Sequence, residues 1–320
     1  HIWGTENYWG LLSARGYIKG QIILEIQGLK FVLHKYFYTG LSFKNIISCI
    51  GLKEIIKPKV SIISQKKSFK KWGDFEKEML IKHKVISTQS DWVRSYVKNE
   101  NNDAQIIRTS ILLRKEFLMA TKWDVNNCVQ FRIFTIASGA SYKGLHMLLD
   151  AVAVLKKKYP EVSLVIAGKV KKGVREGGYS KWLKKRTREL NIVENVNWVG
   201  SLDATNMVNQ IHQANVVVIP SFLETYSLAF DESLTVGAPT VTSFSGALPE
   251  LATHEKTTLF YPPGDAIMCA SAIRKFFDNK IYASKISQNA YDEKKENHKI
   301  KIANSQLEIY KNFLKIKETT

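Results

Sequence analysis

Short apolar runs rich in β-branched residues alternate along the chain with longer stretches in which apolar residues recur at a helical period. The run Val216–Ile219 is typical of a parallel strand that is covered on both faces, and Thr240–Ser243 is the strand predicted after it. The stretches between such runs, for example Leu145–Lys157 and Ala204–Gln213, are predicted helices. Because parallel strands are joined by right-handed helical crossovers, this alternation predicts an α/β fold with doubly wound sheets.

The first third of the chain predicts a separate group of elements. The predicted strands are Gln21–Gly28, Val60–Ser64, Lys84–Thr88 and Ala104–Ser110, and the predicted helices are Phe75–Lys82 and Asp91–Lys98. Ser90 is the predicted N-cap of the second helix. The segment Lys122–Asn127 is the predicted linker to the next strand, Arg132–Ala137. The sequence therefore predicts two α/β domains in series.

The composition indicates folded domains with a basic surface. The chain has 320 residues, of which 45% are hydrophobic, so it has enough apolar material for two cores. The net charge is +18 and is spread along the chain, which favours anionic partners such as nucleotide sugars or membrane headgroups. The alternative explanation of the charge is that an AT-rich genome encodes many lysines, in which case the charge indicates no partner. Cys49, Cys128 and Cys269 are too far apart in sequence to indicate a disulfide framework or a zinc site.

Several other features bear on location and partners. The chain begins at His1, close to a predicted strand end, so we expect an N-terminally incomplete first domain. No run of 18 apolar residues occurs, so no membrane-spanning segment is predicted. A reducing cytoplasm is the expected compartment. The positive charge is not accompanied by a recognition motif for nucleic acid, so nucleic acid is not an expected partner.

The segment Asn215–Pro249 carries the most informative chemistry. Glu224 follows the strand Val216–Ile219, and Glu232 lies in the predicted helix Tyr226–Val236, about 12 Å further along the axis. The first N–H groups of a helix lack internal partners and can bind an anion. Two carboxylates flanking such a site suit a ligand with phosphates in the middle and hydroxyls at both ends, as in a nucleoside diphosphate sugar. In the alternative interpretation, Glu224 caps the helix and Glu232 is solvated.

A longer motif surrounds these carboxylates. It comprises Pro220, Ser221, Glu224 and Glu232, then Gly237-Ala238-Pro239, then Gly246-Ala247-x-Pro249-Glu250. This motif resembles the donor site of the retaining family-four glycosyltransferases, whose C-terminal domain is known as glycosyl transferases group 1. The resemblance runs from about Phe131 to about Asn279, and it implies a B-type glycosyltransferase fold with two facing Rossmann-like domains. On this basis, residues 1–125 are the partial acceptor-side domain, residues 126–295 bind the nucleotide sugar, and residues 296–320 form a helix that packs back on the first domain.

The resemblance also implies roles for individual residues. The implied catalytic residues are Glu224, Lys143 and Gln27, and the implied donor-binding residues are Glu232, Gly139, Ser138, Tyr226, Ser227, Leu228 and Gly200. The N-terminus of the helix and the Lys143 ammonium would hold the diphosphate. Glu232 would accept hydrogen bonds from the ribose, and Glu224 would bind the transferred sugar. Gly200 lies at the edge that would meet the nucleobase.

Two positions depart from the pattern of the family. Gln27 stands where many members have a histidine, and a glutamine can form hydrogen bonds but cannot change its protonation state. Ser138 stands where an arginine is usual, so one of two expected cations is missing. Lys169 or Arg175 in the next loop is a candidate substitute. These departures leave open the alternative that the protein binds a ligand or partner without catalysing a reaction.

The resemblance implies transfer of a sugar, with retention of configuration, to a saccharide or lipid-linked saccharide acceptor, in bacterial surface polysaccharide synthesis. Candidate acceptor contacts are His1, Glu6 and Arg94, and the aromatic segment Phe31–Phe43 is similar to the acceptor-side loop. No Asp-x-Asp sequence occurs, so neither a divalent metal nor another cofactor is expected. The expected location is the cytoplasm, with peripheral contact at the inner face of the membrane. A nucleotide-sugar epimerase is a further alternative, whereas a dehydrogenase is disfavoured because no G-x-G-x-x-G opens a helix.

Overall fold

The computed structural model describes residues 1–137, 139–168, 177–297, 307–311 and 313. Within these residues the strands form two sheets, and every paired strand is parallel to its neighbour. The strands of the first sheet are β1 (Ile2–Trp3), β2 (Ile23–Glu25), β3 (Val85–Thr88) and β4 (Gln105–Arg108). Those of the second sheet are β5 (Arg132–Ile136), β6 (Ser163–Ala167), β7 (Val196–Gly200), β8 (Val216–Ile219), β9 (Thr240–Ser243) and β10 (Leu259–Tyr261).

Strand order differs between the sheets. The first sheet follows chain order, β1-β2-β3-β4, whereas the second has the order β10-β9-β8-β5-β6-β7. In the second sheet, β6 and β7 are added on one side of β5, and the chain then returns to place β8 on the other side of β5. The carboxyl ends of β5 and β8 therefore border the point where the winding direction changes, which is where open α/β sheets bind ligands.

The helices pack on both sheets. They are α1 (Trp9–Ala14), α2 (Lys30–Leu33), α3 (Phe43–Ser48), α4 (Leu52–Ile56), α5 (Ile62–Lys82), α6 (Asp91–Glu100), α7 (Lys115–Leu118), α8 (Leu145–Lys156), α9 (Gly178–Glu189), α10 (Ala204–Gln213), α11 (Leu228–Val236), α12 (Ala266–Asp278) and α13 (Lys280–Asn297). We call the first sheet with α1–α6 the first unit, and the second sheet with α7–α13 the second unit. In the described part of the chain, no helix is both long and apolar enough to cross a bilayer.

The strongest sequence patterns predict the observed elements closely. Strands β8 and β9 and helix α10 have the predicted bounds, because their apolar runs are bordered by turn or capping residues. Every side chain of β8 is buried, as expected for a strand covered by helices on both faces. Ser90 caps α6 as predicted, since its Oγ accepts a hydrogen bond from the Val93 N–H at 3.1 Å.

One predicted strand is wrong. Val60–Ser64 ends a short 3-10 turn and begins α5, a helix of 21 residues that also contains the predicted helix Phe75–Lys82. The apolar pair that suggested a strand lies in the first turn of this helix. Ser61 is its N-cap, accepting a hydrogen bond from the Ser64 N–H at 3.1 Å. A short apolar run fits either type of element, so the capping serine was the decisive signal.

The predicted linker and the end of the described chain are each fixed by a side-chain contact. In the predicted linker, Trp123 is 1% exposed, and its indole N–H donates to the Ala214 carbonyl at 2.8 Å. Near the end of the described chain, the Tyr310 hydroxyl lies 2.7 Å from His1 Nδ1 in the first unit. The contact places residues 307–311 against the first unit. The rest of the predicted helix 296–320 beyond α13 lies outside the described residues, apart from Phe313.

Candidate active site

A cavity of about 720 Å³ lies between the two units at the carboxyl ends of their strands. The first unit and the chain leading from it contribute Trp3, Glu25, Gln27, Gln89, Ser110, Ile111 and Leu112. The second unit contributes Ile136, Lys143, Ile219, Glu224, Tyr226, Ser227, Leu228 and Ala229. The cavity therefore lies where β5 and β8 end, as the winding of the second sheet predicts.

Glu224 and Lys143 form an ion pair at this cavity. The Lys143 ammonium lies 2.7 and 2.9 Å from the two carboxylate oxygens of Glu224, and Ser221 Oγ donates to the same carboxylate at 2.6 Å. Burial opposes the charge of Lys143, but the carboxylate of Glu224 outweighs it and the lysine pKa is raised. In the described structure the ammonium is therefore held charged at the place where an anionic ligand would enter.

Two glycines let the loop that carries Glu224 pack closely against its neighbours. A side chain at Gly144 would collide with the Pro220 carbonyl oxygen, and one at Gly246 would collide with the Glu224 carbonyl oxygen. Both glycines also have positive φ, of 71° and 55°, which other residues adopt at a cost. The backbone on both sides of the carboxylate is thus fixed in place.

The second carboxylate of the motif has a different environment. Glu232 is 3% exposed, and its oxygens accept hydrogen bonds from Nε and Nη2 of Arg114, each at 2.8 Å. Burial raises the pKa of Glu232, and the guanidinium opposes that rise. Glu232 is not among the residues that line the cavity. The sequence did not indicate Arg114, which lies in the chain that leads into α7.

The helix N-terminus at the cavity begins two residues later than predicted. Helix α11 starts at Leu228, and Ser227 is its N-cap, accepting a hydrogen bond from the Phe230 N–H at 3.3 Å. Tyr226 precedes the helix and donates its hydroxyl hydrogen to Asp231 at 2.5 Å. All three of the predicted residues at this end, from Tyr226 to Leu228, line the cavity.

The first-unit wall contains one predicted residue and several that the sequence did not indicate. Gln27 lines the cavity, and in the described part of the chain its side-chain amide has no hydrogen-bond partner. Glu25 is 4% exposed and accepts a hydrogen bond from Gln89 Nε2 at 3.1 Å; it also lies 3.0 Å from His1 Nε2. Burial raises the pKa of Glu25, and the hydrogen bond from Gln89 opposes the rise. Trp3 is half-exposed at the same wall.

Other predicted residues are not among those that line this cavity. Arg94 is exposed on α6, lies 3.8 Å from Asp91 one turn earlier, and is absent from the lining residues. His1 lies next to Glu25 but does not itself line the cavity. The remaining candidates that do not line it are Glu6, Gly139 and Gly200. Ser138, Lys169 and Arg175 lie outside the described residues.

The described residues contain no group of three or more His, Cys, Asp or Glu side chains arranged to hold a metal ion. The cavity presents an ammonium paired with a carboxylate, a helix N-terminus, and amide and carboxylate groups on the opposite wall. Such groups can bind a phosphate on one side and hydroxyl groups on both sides.

Two facing parallel sheets with a cavity at the switch point define the class of B-type glycosyltransferase folds. Sucrose-phosphate synthase from Thermosynechococcus elongatus has a TM-score of 0.74 at 17% identity, covering 99% of this chain and 73% of the neighbour. Anabaena Alr3699/HepE, solved with UDP and glucose, has a TM-score of 0.69 at 14% identity, covering 95% and 74%. The predicted fold is confirmed.

The chain belongs to the family "Glycosyl transferases group 1", whose model matches residues 127–293, more than half of the chain. The resemblance drawn from the donor motif is thereby confirmed. Glycogen synthase of Mycobacterium tuberculosis is 30% identical over 148 residues, which are 46% of this chain and 34% of that protein. Uncharacterized glycosyltransferase YqgM of Bacillus subtilis is 27% identical over 179 residues, 56% of this chain and 48% of that protein. The matches thus span a third to a half of the length of these relatives.

Proposed function

We propose that this protein transfers a sugar from a nucleoside diphosphate sugar to a hydroxyl group of a saccharide or lipid-linked saccharide, with retention of configuration. The observation that carries the proposal is the Lys143–Glu224 pair at the cavity, next to the N-terminus of α11. An ammonium and free helical N–H groups suit a diphosphate, and a carboxylate suits the hydroxyls of the sugar. The family and the fold support the same reaction.

In this mechanism, Lys143 and the N-terminus of α11 stabilise the diphosphate as it leaves. The bond between the anomeric carbon and the phosphate oxygen breaks, and a bond to the acceptor oxygen forms on the same face. The acceptor hydroxyl loses its proton to the departing phosphate oxygen. Glu224 orients the transferred sugar, and Gln27 contributes a hydrogen bond rather than a proton. No metal or other cofactor has a part in this proposal.

Although Glu232 does not line the cavity, we keep its proposed contact with the ribose, which it would make together with Arg114. An ionised carboxylate offers about four acceptor positions, and the bidentate guanidinium uses two of them. The remaining positions accept hydrogen bonds from ribose hydroxyls. HepE was solved with UDP and glucose, which supports UDP-glucose as the first donor to test.

The biological setting that we propose is synthesis of bacterial surface polysaccharide at the inner face of the cytoplasmic membrane. The net charge of +18 supports peripheral contact with anionic headgroups. Sedimentation with vesicles of phosphatidylglycerol tests this part on its own. Binding that is equally strong to neutral phosphatidylcholine vesicles contradicts it.

The decisive test of the activity is release of nucleoside diphosphate from a panel of nucleotide sugars that includes UDP-glucose. We expect Lys143→Ala to reduce kcat/KM at least 100-fold, because the charge on the leaving group loses its partner. Glu224→Gln should reduce it about tenfold or more. The control is Lys157→Ala, an exposed lysine at the other end of α8.

Wild-type protein and Lys157→Ala should have equal activity. The proposal fails if the wild-type chain releases no nucleoside diphosphate from any donor, or if Lys143→Ala retains activity within a few fold of wild type.

A further inference from the structure

The wall of the cavity formed by the first unit differs chemically from the donor wall. It presents an aromatic ring, a carboxylate and two primary amides, from Trp3, Glu25, Gln27 and Gln89. Among the described residues that line the cavity, Lys143 is the one lysine or arginine, and it is paired with Glu224 in the second unit. Among the described residues, the wall opposite the donor site therefore offers hydrogen-bonding groups and negative charge but no lysine or arginine.

Glu25 is held as a fixed part of this wall. Its side chain is nearly buried, and one carboxylate oxygen accepts a hydrogen bond from Gln89 Nε2 at 3.1 Å. The other oxygen lies 3.0 Å from His1 Nε2, and Tyr310 lies 2.7 Å from the other nitrogen of the same imidazole. A carboxylate fixed by neighbours from three parts of the chain is in place before any ligand binds, so a ligand does not have to order it.

Trp3 adds an apolar surface beside this carboxylate. Its side chain is 52% exposed, lines the cavity, and stacks on His1 with ring centroids 4.4 Å apart. A half-exposed indole that is fixed against another ring is a suitable platform for the apolar face of a sugar. The side-chain amide of Gln27, which has no hydrogen-bond partner among the described residues, lies on the same wall and can donate to or accept from a hydroxyl.

We propose that Trp3, Glu25, Gln27 and Gln89 form the acceptor subsite, and that the part of the acceptor bound there is a neutral saccharide. Its hydroxyls bind the carboxylate and the amides, and its ring packs on Trp3. A phosphate or carboxylate on this part of the acceptor is disfavoured, because it would lie near the charge of Glu25, and Lys143, the one lysine or arginine among the described lining residues, is already paired with Glu224. This inference rests on the proposed function and specifies the acceptor class.

The test is direct binding of matched neutral and phosphorylated sugars to the full chain without any donor. The probes are glucose, maltose and glucose 6-phosphate, measured by saturation-transfer NMR and by titration. We expect glucose or maltose to bind with a Kd at least tenfold lower than that of glucose 6-phosphate. Trp3→Ala should weaken binding of the neutral sugar about tenfold, whereas Trp3→Phe should keep it within about threefold.

The charge of Glu25 gives a second readout that a purely structural role would not produce. Glu25→Gln should reduce the preference for glucose over glucose 6-phosphate about tenfold, because the repulsion is removed. The control is Glu78→Gln, a partly exposed carboxylate of the first unit that pairs with Arg15. Circular dichroism confirms that each variant is folded, and the Glu25→Gln and Trp3→Phe measurements remain decisive if Trp3→Ala does not fold.

The inference is overturned if no neutral sugar binds, if glucose 6-phosphate binds as well as glucose, or if Glu25→Gln leaves the preference unchanged. Because donor is absent from these measurements, they do not depend on glycosyl transfer. A chain that binds glucose as expected but releases no nucleoside diphosphate contradicts the proposed function alone. A chain that turns over a donor but prefers phosphorylated sugars contradicts the acceptor subsite alone.

Discussion

Arg114 and Glu232 are 118 positions apart in sequence, yet they form the most regular ion pair near the site, with two hydrogen bonds of 2.8 Å. The guanidinium is 47% exposed, whereas the carboxylate is 4% exposed. The carboxylate has lost most of its hydration and depends on this one cation. Removing the arginine would therefore leave a buried, unpaired carboxylate, and the free-energy cost of that loss exceeds the net stabilisation by the intact pair.

Arg114→Ala should lower the free energy of unfolding by about 2 kcal/mol, below the usual cost of breaking a fully buried pair because the arginine is half-exposed. Arg114→Lys should recover less than half of this loss, since an ammonium cannot form both hydrogen bonds. Urea denaturation monitored by circular dichroism measures both effects.

The double variant Arg114→Ala/Glu232→Gln provides the internal control for the ion pair. Removing the charge of the carboxylate as well should restore part of the stability, so the two substitutions should not be additive. Additive losses, or a full recovery with lysine, would contradict the account given for this pair.

At the residue level, the sequence indicated the lining residues of the second unit better than those of the first unit. Glu224 and Lys143 belong to a motif with fixed spacing, so they could be recognised before the structure was known. Glu25 and Gln89 are 64 positions apart and belong to no motif. Only the alignment of β2 with β3 brings them together. Contacts of this kind depend on strand register, which the sequence pattern does not specify.

Helix α5 is the element that fixes the two loops on the first-unit side of the cavity. Glu76 in this helix accepts a hydrogen bond from the Thr5 hydroxyl at 2.5 Å and from the Phe31 N–H at 3.1 Å. Thr5 follows β1, and Phe31 lies in α2 beyond the loop with Gln27. Burial raises the pKa of Glu76 from its ordinary value of 4.5 to about 7. The helix thus holds both loops through one titratable side chain.

We expect the stability of the wild-type protein to depend on pH through Glu76. Because its pKa is higher in the folded protein, the folded state holds the proton more tightly, and the contribution is complete below about pH 4.5. It is lost as the pH rises towards about 7, and the total change is roughly 3 kcal/mol. Urea denaturation of wild type and Glu76→Gln between pH 4.5 and 7.5 isolates this effect.

Glutamine does not titrate, so the difference in free energy of unfolding between the two proteins should shift steadily in favour of Glu76→Gln as the pH rises. Other acidic groups, including Glu25, are present in both proteins and cancel in the comparison. A difference that stays constant across the range would show that Glu76 does not titrate there.

The packing of α5 on α2 depends on a glycine in the middle of the helix. A side chain at Gly73 would lie 2.6 Å from the Phe31 Cα and 2.7 Å from its backbone nitrogen. Gly73→Ala should therefore lower the free energy of unfolding by about 1–3 kcal/mol, although alanine favours helices more than glycine does. Thermal denaturation measures the change, and an unchanged or higher midpoint would contradict it. The matched control is Ser68→Ala, an exposed position of the same helix.

The correctly predicted strands and the wrongly predicted strand differ in length and context. Strand β8 lies in the interior of the second sheet, where a continuous apolar run has no other stable arrangement. The run at Val60–Ser64 is interrupted by Ser61 and is followed by a long basic helix into which it merges. Whether a short run joins a sheet or a helix depends on which neighbour is available to it, and local sequence does not record this.

At the scale of the whole molecule, helix N-termini contact carboxylates across the two units. Glu250 of the second unit accepts hydrogen bonds from the N–H groups of Asp91 and Trp92, each at 2.8 Å, at the start of α6. In the reverse direction, Glu54 of the first unit accepts from the Gly178 N–H at 2.9 Å, at the start of α9. The charge of each carboxylate interacts favourably with the dipole of the helix that it meets. These contacts favour the arrangement in which the cavity is enclosed.

Glu250→Ala should weaken this arrangement by about 1 kcal/mol, the usual contribution of a capping side chain. Arg108 also loses a partner, since one of its guanidinium nitrogens lies 3.3 Å from the Glu250 carboxylate. The expected result is a larger radius of gyration in small-angle X-ray scattering. Glu161→Ala, an exposed position on the second unit, is the control.

Both variants should have the same radius of gyration once the donor analogue UDP is added in excess, if the ligand bridges the two units. A radius that is identical for wild type and Glu250→Ala in the absence of ligand would show that the capping contact does not hold the units together.

The contact between Tyr310 and His1 has a consequence for how the two halves can move. The chain passes from the first unit to the second between β4 and α7, and Tyr310 meets the first unit again after α13 has packed on α11. Two fixed connections between the units define one axis, and only a rotation about that axis leaves both connections in place. Opening of the cleft should accordingly be a swing about a single fixed axis, with sideways sliding of one half over the other largely blocked.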